Sequence, residues 1–317
     1  MTTEEETVMI DFSDQTVIVT GAGRGLGRLY ALDFARRGAQ VVVNDVGGTM
    51  SGDGADRSVA EDVVAEIRQA GGTAVESHDS VDSPEGAAAI VATAVDATGR
   101  LDAVVSNAGI YGMHAFEDLT VEQWRRMLQV HLDGTFFLSQ SALEVMRPQG
   151  DGRLVFIASN VAAFGQDRAA HYAAAKGGII GLTNALANEC APHGVNVNAV
   201  LPVGRTRMMT DSMGERDPNP VLDRFFDATT PERIVPLVVF LASRACGLTH
   251  HYFSAVAGRY ARVFIGLGDG WLADSEEDAT AEDIAEHLDE ITATEPFTVP
   301  TSVADEIFTV LGQLGMI

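Results

Sequence analysis

The sequence predicts a doubly wound α/β fold, in which a parallel sheet of about seven strands carries helices on both faces. Short runs rich in β-branched residues alternate with longer amphipathic stretches as far as residue 270. The early runs are apolar at almost every position, which is typical of strands covered on both faces. The order of strand followed by helix occurs six times, and this order favours a parallel sheet.

The strands are predicted where the β-branched runs occur. These runs cover residues 16–20, 41–44, 73–76, 101–106, 154–158 and 195–200, followed by a last pair at 252–256 and 262–265. After the first run, Leu26, Tyr30 and Phe34 are spaced as one face of a helix, which Gly38 ends.

The pattern becomes acidic and helical after Trp271, which divides the chain into a predicted domain at 1–270 and an extension at 271–317. Residues 281–291 have the pattern of an exposed helix, and residues 302–314 that of a second helix with an apolar stripe. An extension this short cannot bury a core of its own. We therefore expect it to pack on the body of the protein, on a second subunit or over the functional site.

The composition excludes several classes of function. The 317 residues include 45 acidic and 21 basic side chains, a net charge of −24, which disfavours binding to nucleic acid or to an anionic membrane surface. No apolar run approaches the roughly 20 residues that a membrane helix needs. Cys190 and Cys246 fit no metal-binding or redox spacing. We expect a cytoplasmic protein with no metal site and no membrane insertion.

A glycine-rich turn, TGAGRGLG at 20–27, follows the first predicted strand and opens the first predicted helix. Glycines at such a turn let backbone N–H groups approach a pyrophosphate at the positive end of the helix. The context of strand, turn and helix indicates a dinucleotide site of the Rossmann type. The candidate cofactor-binding residues are Gly21, Arg24, Gly25, Leu26 and Gly27.

Asp45 ends the second predicted strand, eighteen residues after Gly27. A carboxylate there accepts hydrogen bonds from ribose hydroxyls and repels a 2′-phosphate, which favours NAD over NADP. Arg24 instead favours NADP, since a cation in the turn can lie near a 2′-phosphate. We give Asp45 more weight, because one flexible arginine would have to offset a like-charge contact.

A second set of candidate residues follows the later strands. Tyr172 and Lys176 lie four residues apart and share a face if they are helical. Lys176 is the single lysine among the 21 basic residues. A tyrosine, with a pKa near 10, acts as a base at neutral pH when a nearby ammonium lowers that pKa, and the broad fork of arginine is a poor substitute. The pair therefore predicts a tyrosine acid–base group tuned by lysine.

These motifs, together with Asn107-Ala108-Gly109 and Ser159, resemble the short-chain dehydrogenase/reductase superfamily over about residues 15–270. The resemblance implies an oxidoreductase in which Tyr172 is the general acid or base, Ser159 holds the substrate oxygen and Lys176 binds the nicotinamide ribose. Hydride would pass between the substrate carbinol carbon and the nicotinamide. The further cofactor contacts that the resemblance implies are Asp79, Ser80, Asn107, Ala108, Gly109 and Pro202.

Three segments carry a narrower resemblance: VVVNDVGG at 41–48, VHLDGTFF at 130–137 and TPERIVPLVVFLASRACG at 230–247. They are similar to the (3R)-hydroxyacyl-CoA dehydrogenase part of multifunctional enzyme type 2, which is also called 17β-hydroxysteroid dehydrogenase type 4. His131 stands where most of the superfamily has an asparagine that holds a relay water. It either keeps that relay or is a packed helix histidine.

The substrate end is predicted at about residues 203–230. Met208 and Met209 suit a flexible lid over a bulky apolar group, with loose surface packing as the alternative. Arg205 and Arg207 either meet a CoA phosphate or pair with nearby acids. The leading hypothesis is an NAD-dependent dehydrogenase of a 3-hydroxyacyl-CoA. Its alternatives are a dehydrogenase of a hydroxysteroid or steroid-CoA and, more distantly, a non-catalytic NAD-binding protein. The resemblance implies a homodimer or homotetramer that pairs through residues 120–147 and 168–191.

Overall fold

The structure is a computed structural model that describes residues 9–206, 219–273 and 278–316. The chain divides into two compact units, Met1–Arg262 and Val263–Ile317, and each is described by itself. The first unit is built on an eight-stranded sheet with the order β3-β2-β1-β4-β5-β6-β7-β8. Its strands are β1 (Thr16–Thr20), β2 (Gln40–Asn44), β3 (Thr73–Ser77), β4 (Ala103–Ser106), β5 (Gly152–Ile157), β6 (Val195–Val203), β7 (His251–Val256) and β8 (Arg259–Val263).

The first seven strands pair in parallel, so the predicted fold class is confirmed. The strand predicted at 262–265 begins earlier, at Arg259, and forms an eighth strand. The reason is the two-residue turn between β7 and β8, in which Ala257 and Gly258 have φ angles of 53° and 83°. Two successive positive φ angles reverse the chain tightly, so the new strand starts at once.

Helices cover both faces of the sheet. Tyr30, Phe34, Ile67 and Leu241 belong to one buried cluster with β1 and β2, which places the helices that carry them on the same face. The helices described in this unit are α1 (Gly25–Arg36), α2 (Ser58–Gln69), α3 (Pro84–Thr98), α4 (Val121–Leu128), α5 (Gly134–Gln149), α6 (Asn160–Phe164), α7 (Ala170–Cys190), α8 (Pro220–Ala228) and α9 (Val235–Ala242). A π-helical turn, Gln129–Asp133, joins α4 to α5. None of the described helices has the length and apolar character that crossing a membrane requires.

The second unit contains short elements: β9 (Leu267–Gly268) pairs antiparallel with β10 (Phe297–Thr298), and three helices follow the acidic pattern. The predicted helix at 281–291 is interrupted at His287, so that α10 (Ala281–Glu286) and α11 (Leu288–Ile291) are separate. The His287 ring stacks on Trp271 with centroids 4.1 Å apart. The last helix, α12 (Val303–Gln313), lies within the predicted 302–314, and the Ser302 side chain caps it by accepting from the backbone N–H of Asp305. The packing predicted for this extension stays a prediction.

Candidate active site

The carboxyl ends of the parallel strands border a cleft of about 680 Å³. A cleft at this edge, where the order of strands reverses around β1 and β4, is where doubly wound sheets bind ligands. Sixteen of the predicted site residues line it: Gly21, Arg24, Gly25, Leu26, Gly27, Asp45, Asp79, Ser80, Asn107, Ala108, Gly109, His131, Ser159, Tyr172, Lys176 and Pro202. The predicted substrate residues Met208 and Met209 lie outside the described residues.

The glycine turn has the backbone that its sequence predicts. Gly21 and Gly25 have φ angles of 63° and 53°, a region that side chains other than glycine rarely adopt. A Cβ on Gly27 would lie 2.1 Å from the carbonyl oxygen of Gly21, so this position cannot carry a side chain without moving the turn. The residue before α1, Arg24, makes no side-chain cap to the helix. The N–H groups at the start of α1 therefore fit an anionic group such as a pyrophosphate.

Asn107 holds this turn in place. Its side-chain amide donates to the carbonyl oxygens of Thr20 and Gly21 at 2.9 and 3.2 Å. The Thr20 hydroxyl in turn accepts from the backbone N–H groups of Asn107 and Ala108 at 3.0 and 3.1 Å. The asparagine of the Asn-Ala-Gly motif thus fixes the position of the glycine turn against the end of β4.

Asp45 also contacts the turn. Its two carboxylate oxygens accept from the backbone N–H groups of Gly23 and Gly47, at 2.9 and 2.7 Å. A carboxylate has about four acceptor sites, so two such contacts leave capacity for ribose hydroxyls. Arg24 lines the cleft as well, and its guanidinium donates to the carbonyl oxygen of Gly48 at 3.0 Å. Both residues thereby order the loop that follows β2.

Ser159, Tyr172 and Lys176 meet on the opposite wall of the cleft. Ser159 is the N-cap of α6, and its hydroxyl accepts from the backbone N–H of Val161 at 3.2 Å. Tyr172 and Lys176 lie one turn apart on α7, as the spacing predicts. The Lys176 ammonium donates to the carbonyl oxygen of Ile157 at 2.6 Å and lies 5.9 Å from the centroid of the Tyr172 ring.

Burial dominates the protonation of this pair. It raises the pKa of Tyr172 to about 12, against a smaller lowering by the neighbouring Ser159 hydroxyl. It lowers the pKa of Lys176, which is 3% exposed, to about 7. The spacing of the two residues predicts only the attraction between ammonium and phenolate, which favours both charged forms. Removing the two groups from water disfavours both charged forms, and in this structure that effect is larger.

His131 lies in the π-helical turn beneath Tyr172. Its ring packs edge-on against the Tyr172 ring with centroids 5.4 Å apart, and its Nε2 lies 2.8 Å from the carbonyl oxygen and 3.1 Å from the nitrogen of Ile110. Nδ1 has no hydrogen-bond partner among the described residues. Burial, assisted by the charge of Lys176, holds the pKa of His131 well below its ordinary value. The ring is therefore neutral at pH 7.

Several residues outside the short sequence motifs also line the cleft. Tyr111 packs edge-on against Tyr172 with centroids 5.4 Å apart, and Gln166 donates to its hydroxyl at 3.4 Å. Phe164 lines the cleft although its surface is 71% exposed, and Phe226 of α8 lines it from another side. Arg126 of α4 also reaches the cleft. Tyr111, Phe164 and Gln166 follow a strand end, where functional loops of such sheets gather. Phe226 lies in the predicted substrate segment at 203–230, whereas no sequence pattern marks Arg126.

Comparison with known proteins places the chain in a family. The family model for short chain dehydrogenases matches residues 15–217. A putative short-chain type dehydrogenase/reductase of Mycobacterium tuberculosis is 40% identical over 279 residues, which cover 88% of this chain and 94% of that protein. Peroxisomal multifunctional enzyme type 2 of mouse is 41% identical over 247 residues, 78% of this chain but 32% of the mouse protein. The chain thus spans about a third of that relative.

Solved structures of dehydrogenases also superimpose on this chain. Full-length peroxisomal multifunctional enzyme type 2 from Drosophila melanogaster superimposes with a TM-score of 0.80 at 29% identity, over 97% of this chain and 50% of that one. A 7α-hydroxysteroid dehydrogenase complexed with NADH and 7-oxo glycochenodeoxycholic acid gives a TM-score of 0.69 at 25% identity, over 78% of this chain and 95% of that one. The family match, the relatives and the converging motifs lead to one conclusion: the chain is a member of the short-chain dehydrogenase/reductase family of oxidoreductases.

Proposed function

We propose that the protein is an NAD-dependent dehydrogenase of secondary alcohols whose substrate is a 3-hydroxyacyl-CoA. One observation carries the oxidoreductase chemistry: Ser159, Tyr172 and Lys176 line the same cleft as the glycine turn. A group held by the turn and a substrate held by the hydroxyls would share that cleft. NAD, when bound, supplies the hydride acceptor or donor.

Side chains of the cleft orient the substrate and transfer its proton. The Ser159 hydroxyl donates a hydrogen bond to the substrate oxygen and orients it toward the hydroxyl of Tyr172, which lines the same cleft. Tyr172 gives its proton to a ketone oxygen in reduction and takes the hydroxyl proton in oxidation. With a pKa of about 12, the phenol is protonated at neutral pH and so is ready to act as the acid. A protonated Lys176 favours the phenolate that oxidation needs.

The choice of NAD over NADP rests on Asp45. Its carboxylate is fixed by the N–H groups of Gly23 and Gly47 while lining the cleft, so a 2′-phosphate placed there would meet a negative charge that cannot swing away. The 7α-hydroxysteroid dehydrogenase among the structural relatives is complexed with NADH, which supports the same choice. A tenfold better use of NADP than of NAD would contradict it.

The substrate class rests on the relatives and on the cleft wall. The similarity to multifunctional enzyme type 2 favours a hydroxyacyl-CoA, and the apolar side chains of Val161, Phe164 and Phe226 suit an acyl chain. Arg205 pairs with Asp227 at 3.0 Å on the surface, so its use for a CoA phosphate would require that exposed pair to open. Arg207 lies outside the described residues.

A hydroxysteroid is the second candidate. The solved 7α-hydroxysteroid dehydrogenase, which holds a bile-acid ketone, covers 78% of this chain. The aromatic wall of Phe164 and Phe226 is also compatible with a rigid apolar ring system. A steroid attached to CoA would combine both features.

A substrate screen decides between these candidates. The protein is incubated with NAD and with 3-hydroxyacyl-CoA esters of increasing chain length or with hydroxysteroids, and NADH formation is followed by absorbance. Turnover of the esters at least tenfold above that of the steroids is expected, and the reverse order would replace the first candidate by the second.

Tyr172→Phe tests whether the protein is catalytic at all. Loss of the acid–base group is expected to lower kcat by about 10²- to 10⁴-fold with NADH binding retained. The control is Tyr30→Phe, since Tyr30 is fully buried in the core and its hydroxyl has no partner among the described residues. Equal turnover by Tyr172→Phe and wild type would favour the non-catalytic NAD-binding alternative.

Self-association and location complete the proposal. A homodimer or homotetramer through the helices at 120–147 and 168–191 is supported by apolar side chains exposed on the first of these segments, Val121 of α4 and Phe136 of α5. Light scattering that gives the mass of one chain would contradict it.

The cytoplasmic location is supported by Cys190 and Cys246, both buried and neither in a disulfide.

A further inference from the structure

We propose that Arg126 is a positioning residue that fastens a glycine-rich strap over the cleft and thereby sets cofactor affinity. The strap is the segment 46–57, VGGTMSGDGADR, which links β2 to α2. Four of its twelve residues are glycine, so it would lose much conformational entropy on becoming ordered. Gly48, Thr49, Met50 and Gly52 line the cleft.

The strap is closed on itself at its base. The backbone N–H of Asp56 donates to the carbonyl oxygen of Val46 at 3.0 Å, and a Cβ on Gly47 would lie 2.0 Å from the Asp56 carbonyl oxygen. Within the strap, the N–H of Thr49 donates to the Asp53 carbonyl at 2.9 Å. The base therefore fixes the two ends, while the position of the middle over the cleft needs contacts from outside.

Three outside donors hold the middle, and each binds a strap carbonyl. Arg24 of the glycine turn donates to Gly48 at 3.0 Å. The backbone N–H of Tyr111 donates to Met50 at 3.0 Å. Arg126 donates to Gly52 at 3.2 Å. The strap thus extends from the cofactor turn to Tyr111, whose ring packs on Tyr172.

Arg126 differs from the other two donors because it makes a second strong contact. Its other terminal nitrogen pairs with the Asp82 carboxylate at 2.6 Å. Although burial acts in the opposite direction, hydrogen bonds from Ser80 and Arg126 hold the pKa of Asp82 below its ordinary value. Asp82 follows the segment that carries Asp79 and Ser80, both of which line the cleft. One guanidinium therefore joins the strap to the loop after β3.

The contacts described for the strap do not include the catalytic side chains, so the strap should affect cofactor binding and not the chemical step. The catalytic side chains are held by α6 and α7 and, among the residues that the structure describes, make no hydrogen bond to the strap, so releasing it leaves them in place. Cofactor binding would then have to order a glycine-rich segment that is ordered beforehand in the wild type. The cost falls on affinity for the dinucleotide, while turnover at saturating cofactor is retained.

The first test removes the tether. NADH is titrated against wild type, Arg126→Met and Arg125→Met by fluorescence, and kcat is measured at saturating NAD. Arg125 neighbours Arg126 on α4 but is exposed and lines no part of the cleft. Arg126→Met is expected to weaken NADH binding about tenfold, the effect of losing a charged hydrogen bond, with kcat within about twofold of wild type. Arg126→Lys, which keeps a charge beside Asp82, recovers part of the affinity.

The second test displaces the strap by a substitution within the strap itself and leaves Arg126 unmutated. Gly52 and Gly54 both have positive φ, 87° and 76°. A Cβ on Gly52 would lie 2.9 Å from Ile110 and 3.2 Å from Arg126, whereas a Cβ on Gly54 has nothing within 4 Å. Gly52→Ala and Gly54→Ala therefore share the backbone strain, and only the former pushes the strap from its tether. Weaker NADH binding in Gly52→Ala alone supports the proposal.

Equal NADH affinity in Arg126→Met and Arg125→Met, or in both glycine variants, overturns the role of Arg126. So does a loss of melting temperature in Arg126→Met with no change in affinity, which is the behaviour of a merely structural ion pair. Failure of the wild type to bind NADH would instead contradict the proposed cofactor, so the two proposals fail in distinguishable ways.

Discussion

His131 occupies the volume that a side chain at residue 109 would need: a Cβ on Gly109 would lie 2.3 Å from Cε1 of His131. The His131 ring cannot easily move away, because it is buried and its Nε2 is hydrogen-bonded to the backbone of Ile110. Gly109 has no positive φ, so an alanine there is opposed by this contact alone. The last residue of the Asn-Ala-Gly motif is thus a glycine so that the imidazole can lie under Tyr172.

Gly109→Ala is therefore expected to displace His131 and, through it, the ring of Tyr172. We expect kcat to fall at least about tenfold, with the glycine turn still able to bind NADH. The control is Gly181→Ala on the exposed face of α7, where a Cβ meets nothing within 4 Å and helix propensity predicts a gain of about 0.5–1 kcal/mol. Additive losses in Gly109→Ala and His131→Ala, when combined, would contradict the coupling.

Acid should destabilise the protein partly through His131. Its pKa is depressed in the folded state, so below about pH 6.5, the ordinary pKa of histidine, the unfolded chain binds a proton that the folded chain does not. The free energy of unfolding therefore falls as pH drops, by up to about 1.4 kcal/mol per pH unit from this group. Urea melts of wild type and His131→Gln at pH 7 and pH 5 measure the difference. An equal loss in both proteins would contradict it.

Lys176 should give a dependence of the same sign, but in the alkaline range. Its pKa of about 7 in the folded protein is below the ordinary 10.5, so between these values the unfolded chain holds the extra proton. Stability relative to Lys176→Met is expected to increase from pH 7 to pH 9.5, because deprotonation removes the cost of a buried charge. Guanidinium melts of both proteins at the two pH values provide the test. A constant difference would show that the lysine has an ordinary pKa.

Alcohol oxidation should become faster as the solution becomes alkaline. Burial raises the pKa of Tyr172 to about 12, so the phenolate that accepts the hydroxyl proton is scarce at pH 7 and increases with pH. We expect kcat/KM for oxidation to rise steadily from pH 7 to pH 10, and Tyr172→Phe to abolish that rise. A rate that does not change over this range would mean that bound substrate and cofactor have already ionised the phenol.

Asp45→Asn tests the proposed preference for NAD, which it should weaken. The amide keeps the size of the side chain and one acceptor oxygen for the backbone N–H groups, but removes the charge that a 2′-phosphate would meet. We expect the ratio of kcat/KM for NADP to that for NAD to rise about tenfold or more. Asp53→Asn is the control, because Asp53 lies in the same segment, is exposed and lines no part of the cleft. Equal ratios in both variants would remove Asp45 from cofactor selection.

The sequence predicts the sheet well because its strands are buried on both faces and are rich in β-branched residues. All eight predicted strands begin and end within three residues of the observed ones, and the largest offsets are at the end of β6 and the start of β8. The last strand was misplaced because Ala257, which has a positive φ, gives no compositional sign of a tight turn. The break at His287 was missed for a related reason: the pattern around it is helical, and the stack on Trp271 is a contact between residues sixteen apart.

The motif residues of the site were predictable because each belongs to a short pattern with its own chemistry. Arg126 was not, because its partners Asp82 and Gly52 are 44 and 74 residues away and nothing in the helix pattern of α4 marks it. The protonation of Tyr172 and Lys176 also required the structure. Spacing predicts that the two groups are neighbours, but only the surrounding packing tells how much water each has lost.

Because Lys176 is the single lysine of the chain and is 3% exposed, the protein has no freely accessible side-chain amine. Amine-directed reagents that decorate most proteins indiscriminately would have one side chain to find here, and it faces the inner wall of the cleft. With a pKa of about 7, that amine is substantially unprotonated and nucleophilic at neutral pH whenever a reagent reaches it. The rate of its acylation would therefore report how often the cleft opens, measured as the mass increment of the peptide that contains Lys176.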